Sequence, residues 1–224
     1  MKLHLYAISS DAALEPLMRL ALTGIGDMPV RAVEIAALTA LVSSVVSDGL
    51  LEAKDALLHH MVIEDAMSVA NLLPARHSAP STLAVLSAHL MEHRAEYEAL
   101  LEHIGDAREF GVRAELPPLL EATPTPRDSG TAYLQARRAQ FGTDAARRAE
   151  LEVIAEAVEA RLCAVALEAK RSYPSADVYR GSFLVRGEFL EQAARIGAEA
   201  VRDLRGARGS WHGPFPPYSF AVLM

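Results

Sequence analysis

Hydrophobic positions open on a period of two. Leu3, Leu5 and Ala7 alternate with His4, Tyr6 and Ile8, which predicts a strand, and Ser9-Ser10-Asp11 supply the turn and cap chemistry for a short helix to about Leu22. Gly24, Gly26 and Pro29 break that helix. Residues 30–35 and 38–46 are rich in β-branched side chains and predict a pair of strands closed by Ser47-Asp48-Gly49. Over residues 50–69 the period lengthens: Leu51, Leu58, Val62 and Val69, with Met61 beside them, recur at helical spacing opposite Glu52, Lys54 and Asp55. Residues 71–74 are too short and proline-limited for a helix and read as a strand. Ser81 then caps a long helix carrying Leu83, Leu86, Leu90, Tyr97, Leu101 and Ile104, which Gly105 stops.

Alternation returns over residues 110–116, before Pro117, Pro118, Pro124 and Pro126 mark a stiff connection. A helix over 130–171 carries the stripe Leu151, Ile154, Val158, Leu162 and Val165. Two short strands at 178–179 and 182–185 flank Gly181, followed by a helix over 188–204 and a last strand over 208–213. The order strand, helix, two strands, helix, strand predicts a ferredoxin-like unit. The expected class is α+β: an N-terminal sheet-plus-helices domain over 1–105 and a C-terminal ferredoxin-like domain over 106–224. The chain closes with Gly213-Pro214-Phe215-Pro216-Pro217-Tyr218-Ser219-Phe220. Its prolines restrict the backbone and its rings offer apolar area, so this tail is expected to dock on the C-terminal domain as an added strand, or to present its rings to a partner.

Composition narrows the function classes. With 224 residues, 51% hydrophobic and 23% charged, the chain can bury a substantial core. A formal net charge of -7 gives no general attraction to nucleic acid or anionic lipid, so a protein partner is expected. Cys163 is the single cysteine, which rules out an internal disulfide and suits the cytoplasm. The first ten residues lack a signal-peptide pattern. The apolar stretch over 35–46 falls well short of the ~20 residues a membrane span needs.

Candidate chemistry is sparse. His89-Leu90-Met91-Glu92-His93 matches H-x-x-E-H, in which two histidines one helical turn apart hold a metal and the glutamate acts as base. This motif supports an alternative reading as a metal-dependent hydrolase, although His93 also falls on the stripe of Leu86, Leu90 and Tyr97 and no third ligand is identifiable. His59 and His60 are consecutive on a helix and point about 100° apart, which prevents joint ligation and predicts surface or core-edge histidines. Cys163 reads as a small buried hydrophobe. Gly24-Ile25-Gly26 lacks the third glycine of a dinucleotide loop, and Arg137-Arg138 with Arg147-Arg148 read as a solvated helix face. No cofactor, metal or catalytic residue is expected.

The closing segment is similar to the Gly-Pro-Trp-Pro-Pro-Tyr-Ser-Phe ending of the gas vesicle protein F/L family, with Phe215 where that family usually has Trp. Other features of the family occur in order: Leu5-Tyr6-Ala7-Ile8, Leu58-His59-His60-Met61-Val62, Leu72-Leu73-Pro74-Ala75-Arg76, Glu109-Phe110-Gly111-Val112 and Gly130-Thr131-Ala132-Tyr133-Leu134. The resemblance implies a non-enzymatic accessory or minor structural protein of gas vesicles. It would bind the hydrophobic major shell protein, limit its aggregation and assist vesicle nucleation, with other gas vesicle accessory proteins as further partners. Phe215, Pro216, Pro217, Tyr218 and Phe220 are the expected partner-binding residues. A scaffold whose only partner is itself is a further alternative.

Overall fold

The computed structural model describes residues 2–45, 53–76, 80–118 and 130–221. Val46, the turn at Ser47, Asp48 and Gly49, the helix start at 50–52, and Pro124 and Pro126 lie outside them. Two compact units emerge: residues 1–108 together with 215–224, and residues 109–214.

In the first unit, β1 (Lys2–Ser10) is the central strand and is buried along nearly its whole length. The antiparallel hairpin β2 (Val30–Ile35) and β3 (Leu38–Val45) lies along one side of it, with Leu5 opposite Val42 and Ile8 opposite Ala40. On its other side run the short strands β4 (Leu73–Pro74) and β5 (Ser81–Thr82). The hairpin tip is Ala36-Ala37, both left-handed with φ of 55° and 60°, a conformation L side chains adopt at a cost. Between β1 and β2 stands the short helix α1 (Leu14–Met18), ending sooner than the expected Leu22. Helix α2 (Ala53–Ala66) packs on β1, burying Val62, Ile63 and Ala66 against Tyr6, Leu17 and Leu41. The expected long helix is two, α3 (Leu83–Glu92) and α4 (Arg94–Ile104), because His93 leaves helical geometry at φ −104°, ψ 14°. Thr82, and not Ser81, caps α3 by accepting from the Val85 N–H at 3.3 Å. Gly105, at φ 53°, ends α4 as expected.

The second unit carries a four-stranded sheet in the order β7, β8, β6, β9, formed by β6 (Arg108–Glu115), β7 (Ala166–Ser175), β8 (Val178–Val185) and β9 (Arg208–Phe215). With α5 (Gly130–Leu162) after β6 and α6 (Leu190–Arg202) after β8, the element order is the expected strand, helix, two strands, helix, strand. Its boundaries differ from the sequence reading. Helix α5 stops at Leu162, and residues 166–171, expected to be helical, join 172–175 in the edge strand β7 of a hairpin with β8, a single strand where two short ones were expected. The local Ala/Leu/Glu/Lys preference for helix is overridden by pairing with the Val/Tyr/Phe-rich β8. Leu151, Ile154, Val158 and Leu162 of α5 meet Phe110, Phe183 and Trp211 in one core. Phe110 and Trp211 stack with centroids 5.1 Å apart, and Trp211 lies across Gly197 so closely that a Cβ there would come within 2.1 Å of its ring.

The tail is the principal correction. Its first residues, 213–215, do belong to β9 of the second unit's sheet, but from Phe215 onward the chain groups with the first unit and adds no further strand to that sheet. The two consecutive prolines that follow have no N–H for a ladder, so β9 ends there.

Candidate functional site

Helix α2 and the tail meet in the first unit. Pro216 and Pro217 are buried, and the Tyr218, Phe220 and Ala221 amides turn back onto the Pro216 and Pro217 carbonyls at 2.8–3.0 Å. This turn buries Phe220 and Ala221 and sets Tyr218 half-buried against the core around α2.

His59 and His60 diverge as their helical spacing requires, and each holds a different layer. His60 faces the tail, its Nδ1 3.2 Å from the Tyr218 hydroxyl, its Nε2 3.5 Å from the Glu64 carboxylate, and its ring against Phe215 and Tyr218. Burial raises the Tyr218 hydroxyl well above its ordinary range, with Glu64 adding to the shift. His59 turns inward and is fully buried rather than lying at the surface or core edge, because a polar network satisfies it. Its Nε2–H donates to the Ala75 carbonyl at 2.8 Å, so in the neutral pair its Nδ1 accepts from His4 Nε2 at 2.8 Å. Tyr6 stacks on His59, accepts from the Ile25 N–H at 2.9 Å and shares a hydrogen bond with Ser43. Burial raises the Tyr6 hydroxyl, partly offset by those two bonds. Nothing in the alternating pattern of β1 marks His4 as a core residue; only its place on a central strand does.

Of the tail residues expected to bind a partner, the structure gathers all five in the first unit but leaves only Phe215 substantially exposed, at 38%. On α2, Leu57 and Met61 share the face of His60 and Glu64 at i, i+3, i+4 and i+7, and Leu57 is 61% exposed. Leu57, Met61 and Phe215 therefore border one apolar face centred on His60. The sequence pattern places Met61 beside the apolar stripe and gives no sign of what Leu57 does.

The H-x-x-E-H residues stand elsewhere. His89 and His93 rings lie 4.6 Å apart, but His89 Nε2 bonds the Tyr97 hydroxyl at 2.6 Å, His93 Nδ1 meets Glu96 at 3.2 Å, and Glu92, the last residue of α3, is exposed. Among the described residues no group of three or more His, Cys, Asp or Glu is placed to hold a metal ion. Cys163 is exposed rather than buried, one residue past the end of α5, while the stripe residues Leu162 and Val165 on either side of it go into the core. Arg147 is buried and not part of a solvated face: it pairs with Asp177 and donates to the Pro117 carbonyl at 2.7 Å. Arg148 lies over the Tyr173 ring at 4.1 Å. No helix among the described residues is long and apolar enough to cross a membrane.

Comparison with known proteins is consistent along the length of the chain. Residues 2–222 match the family model described as gas vesicle synthesis protein GvpL/GvpF. The fold is similar to the crystal structure of gas vesicle protein GvpF from Microcystis aeruginosa, with a TM-score of 0.78 at 19% identity over 99% of each chain. It is also similar to that of GvpF from Anabaena, with a TM-score of 0.76 at 19% identity over 100% of this chain and 99% of that one. No curated protein sequence matches the chain significantly.

Proposed function

The chain belongs to the GvpL/GvpF family of gas vesicle synthesis proteins, and from that premise we propose that it works by binding the hydrophobic shell protein of the vesicle, without chemistry of its own. The apolar face of Leu57, Met61 and Phe215 carries this reading. Apolar side chains presented on a rigid helix offer about 1.5–3 kcal/mol each when buried against a partner. Pro216, Pro217, Tyr218 and Phe220 act as the anchor that holds Phe215 at the edge of that face. In this role the protein shields apolar segments of the shell protein from aggregation in the cytoplasm and brings them to a nucleating or growing vesicle, together with other gas vesicle accessory proteins.

Co-purification of the tagged chain with the shell protein tests the assignment. Capture by the intact chain, lost in the folded double variant Leu57→Asp/Met61→Asp, is the expected result. Equal capture by both would remove the face from the account, and no capture by either would remove the binding role itself.

A further inference from the structure

Helix α5 is longer than the sheet it covers. Its 33 residues run about 50 Å, whereas the eight-residue strand β8 beneath it spans only about 26 Å. The first of its described side chains to be buried is Arg147, and the core begins at Leu151. Between 131 and 142 every described side chain is exposed, among them Tyr133, Leu134 and Phe141. At 100° per residue these three share one face with Arg137 and Arg138, with Phe141 near its middle and 61% exposed. The Arg137 guanidinium lies 5.2 Å from the Phe141 ring centroid. A helical half of this length without packing is marginal by itself, since most helical stability comes from burying an apolar face.

The first unit displays the complement of this face. Opposite the buried Leu86 and Leu90, α3 turns outward Ala84, Val85, Ala88, Met91 and Glu92, with Met91 63% exposed. Glu96 stands exposed one turn further on. Large rings on α5 meet small alanines between Val85 and Met91 on α3, the size relation by which one helix seats in another. Two arginines meet two glutamates, in a chain whose net charge is -7.

We propose that these two faces bind each other between copies: the projecting half of α5 in one molecule docks on α3 of a second copy of this chain. The faces differ, so the contact is head-to-tail and builds rings or open chains instead of closing as a symmetric pair. It uses residues separate from Leu57, Met61 and Phe215 and leaves that face available.

Sedimentation velocity of the full-length protein over rising concentration, at low and high salt, reads the proposal. Weight-average mass is expected to climb from the 24.2 kDa of one chain towards at least twice that value, and to fall back as salt screens the charges. Arg137→Glu/Arg138→Glu is expected to abolish association, as is Glu92→Arg/Glu96→Arg in a separate protein. An equimolar mixture of the two variants should restore it, because each inverted face then finds an oppositely charged partner. Both variants alter exposed positions, and circular dichroism verifies their folding. A wild type that stays monomeric throughout overturns the proposal. So does association indifferent to both reversals, or two folded variants that fail to restore it on mixing.

Discussion

Beside β1 in the first unit, buried His4 and His59 bond each other while Tyr6 bonds Ser43 and stacks on His59, whereas the core of the second unit stacks Trp211 on Phe110 with Phe183 tilted against it. Ring stacking tolerates small shifts, and its energy scales with area. A buried polar row tolerates few shifts, because each group left unpaired costs its full desolvation. The first unit also receives the tail and carries the exposed face on α2. The unit whose interior is fixed by direction is thus the one that must hold a docked segment in a defined place, through His59 on the inner side of α2 and His60 on the outer.

Phe110→Ala should produce the largest effect, lowering stability by about 3–5 kcal/mol through the cavity left under Trp211, as read from urea unfolding. Tyr6→Phe keeps the ring but strands the Ile25 N–H and the Ser43 hydroxyl, for an expected loss of about 1–3 kcal/mol. An equal or smaller cost for Phe110→Ala would erase the contrast between the two cores. At the β2–β3 turn the sign reverses: Ala37→Gly relieves a left-handed alanine and should raise stability by about 1 kcal/mol.

Alkaline pH separates the buried tyrosines from exposed ones. Burial raises the hydroxyls of Tyr6, Tyr179 and Tyr218 in the folded chain above the ~10 of an unfolded tyrosine. Their contribution is therefore fully present below about pH 10 and is lost as pH rises through the folded values, because the unfolded chain releases those protons first. Tyr218→Phe should flatten this loss, measured as the drop in urea midpoint between about pH 9 and pH 11, and an unchanged drop would exclude the tail tyrosine as a contributor.

Much of the fold was written in periodicity: the β2 and β3 strands, α2, Gly105 as a stop and the strand and helix order of the second unit follow from local pattern and punctuation. What was hidden depends on tertiary partners. Nothing at Leu162 announces the end of α5, since no glycine or proline follows and residues 166–170 favour helix by themselves; pairing with β8 decides their state. The break at His93 lies within a continuous apolar stripe. The Ala36-Ala37 turn carries none of the residues that usually mark left-handed backbone. The tail was legible as a docking segment from its prolines and rings, but its address was not. That depends on His60, 158 positions earlier than Tyr218.

The most direct measurement of the central claim is light scattering of purified shell protein as it aggregates in the presence of increasing amounts of this chain. Suppression is expected to saturate at a fixed ratio of the two proteins and to be lost when folded Leu57→Asp/Met61→Asp replaces the wild type. Aggregation that proceeds unchanged in the presence of excess wild type, or that the double variant suppresses equally well, would contradict that claim.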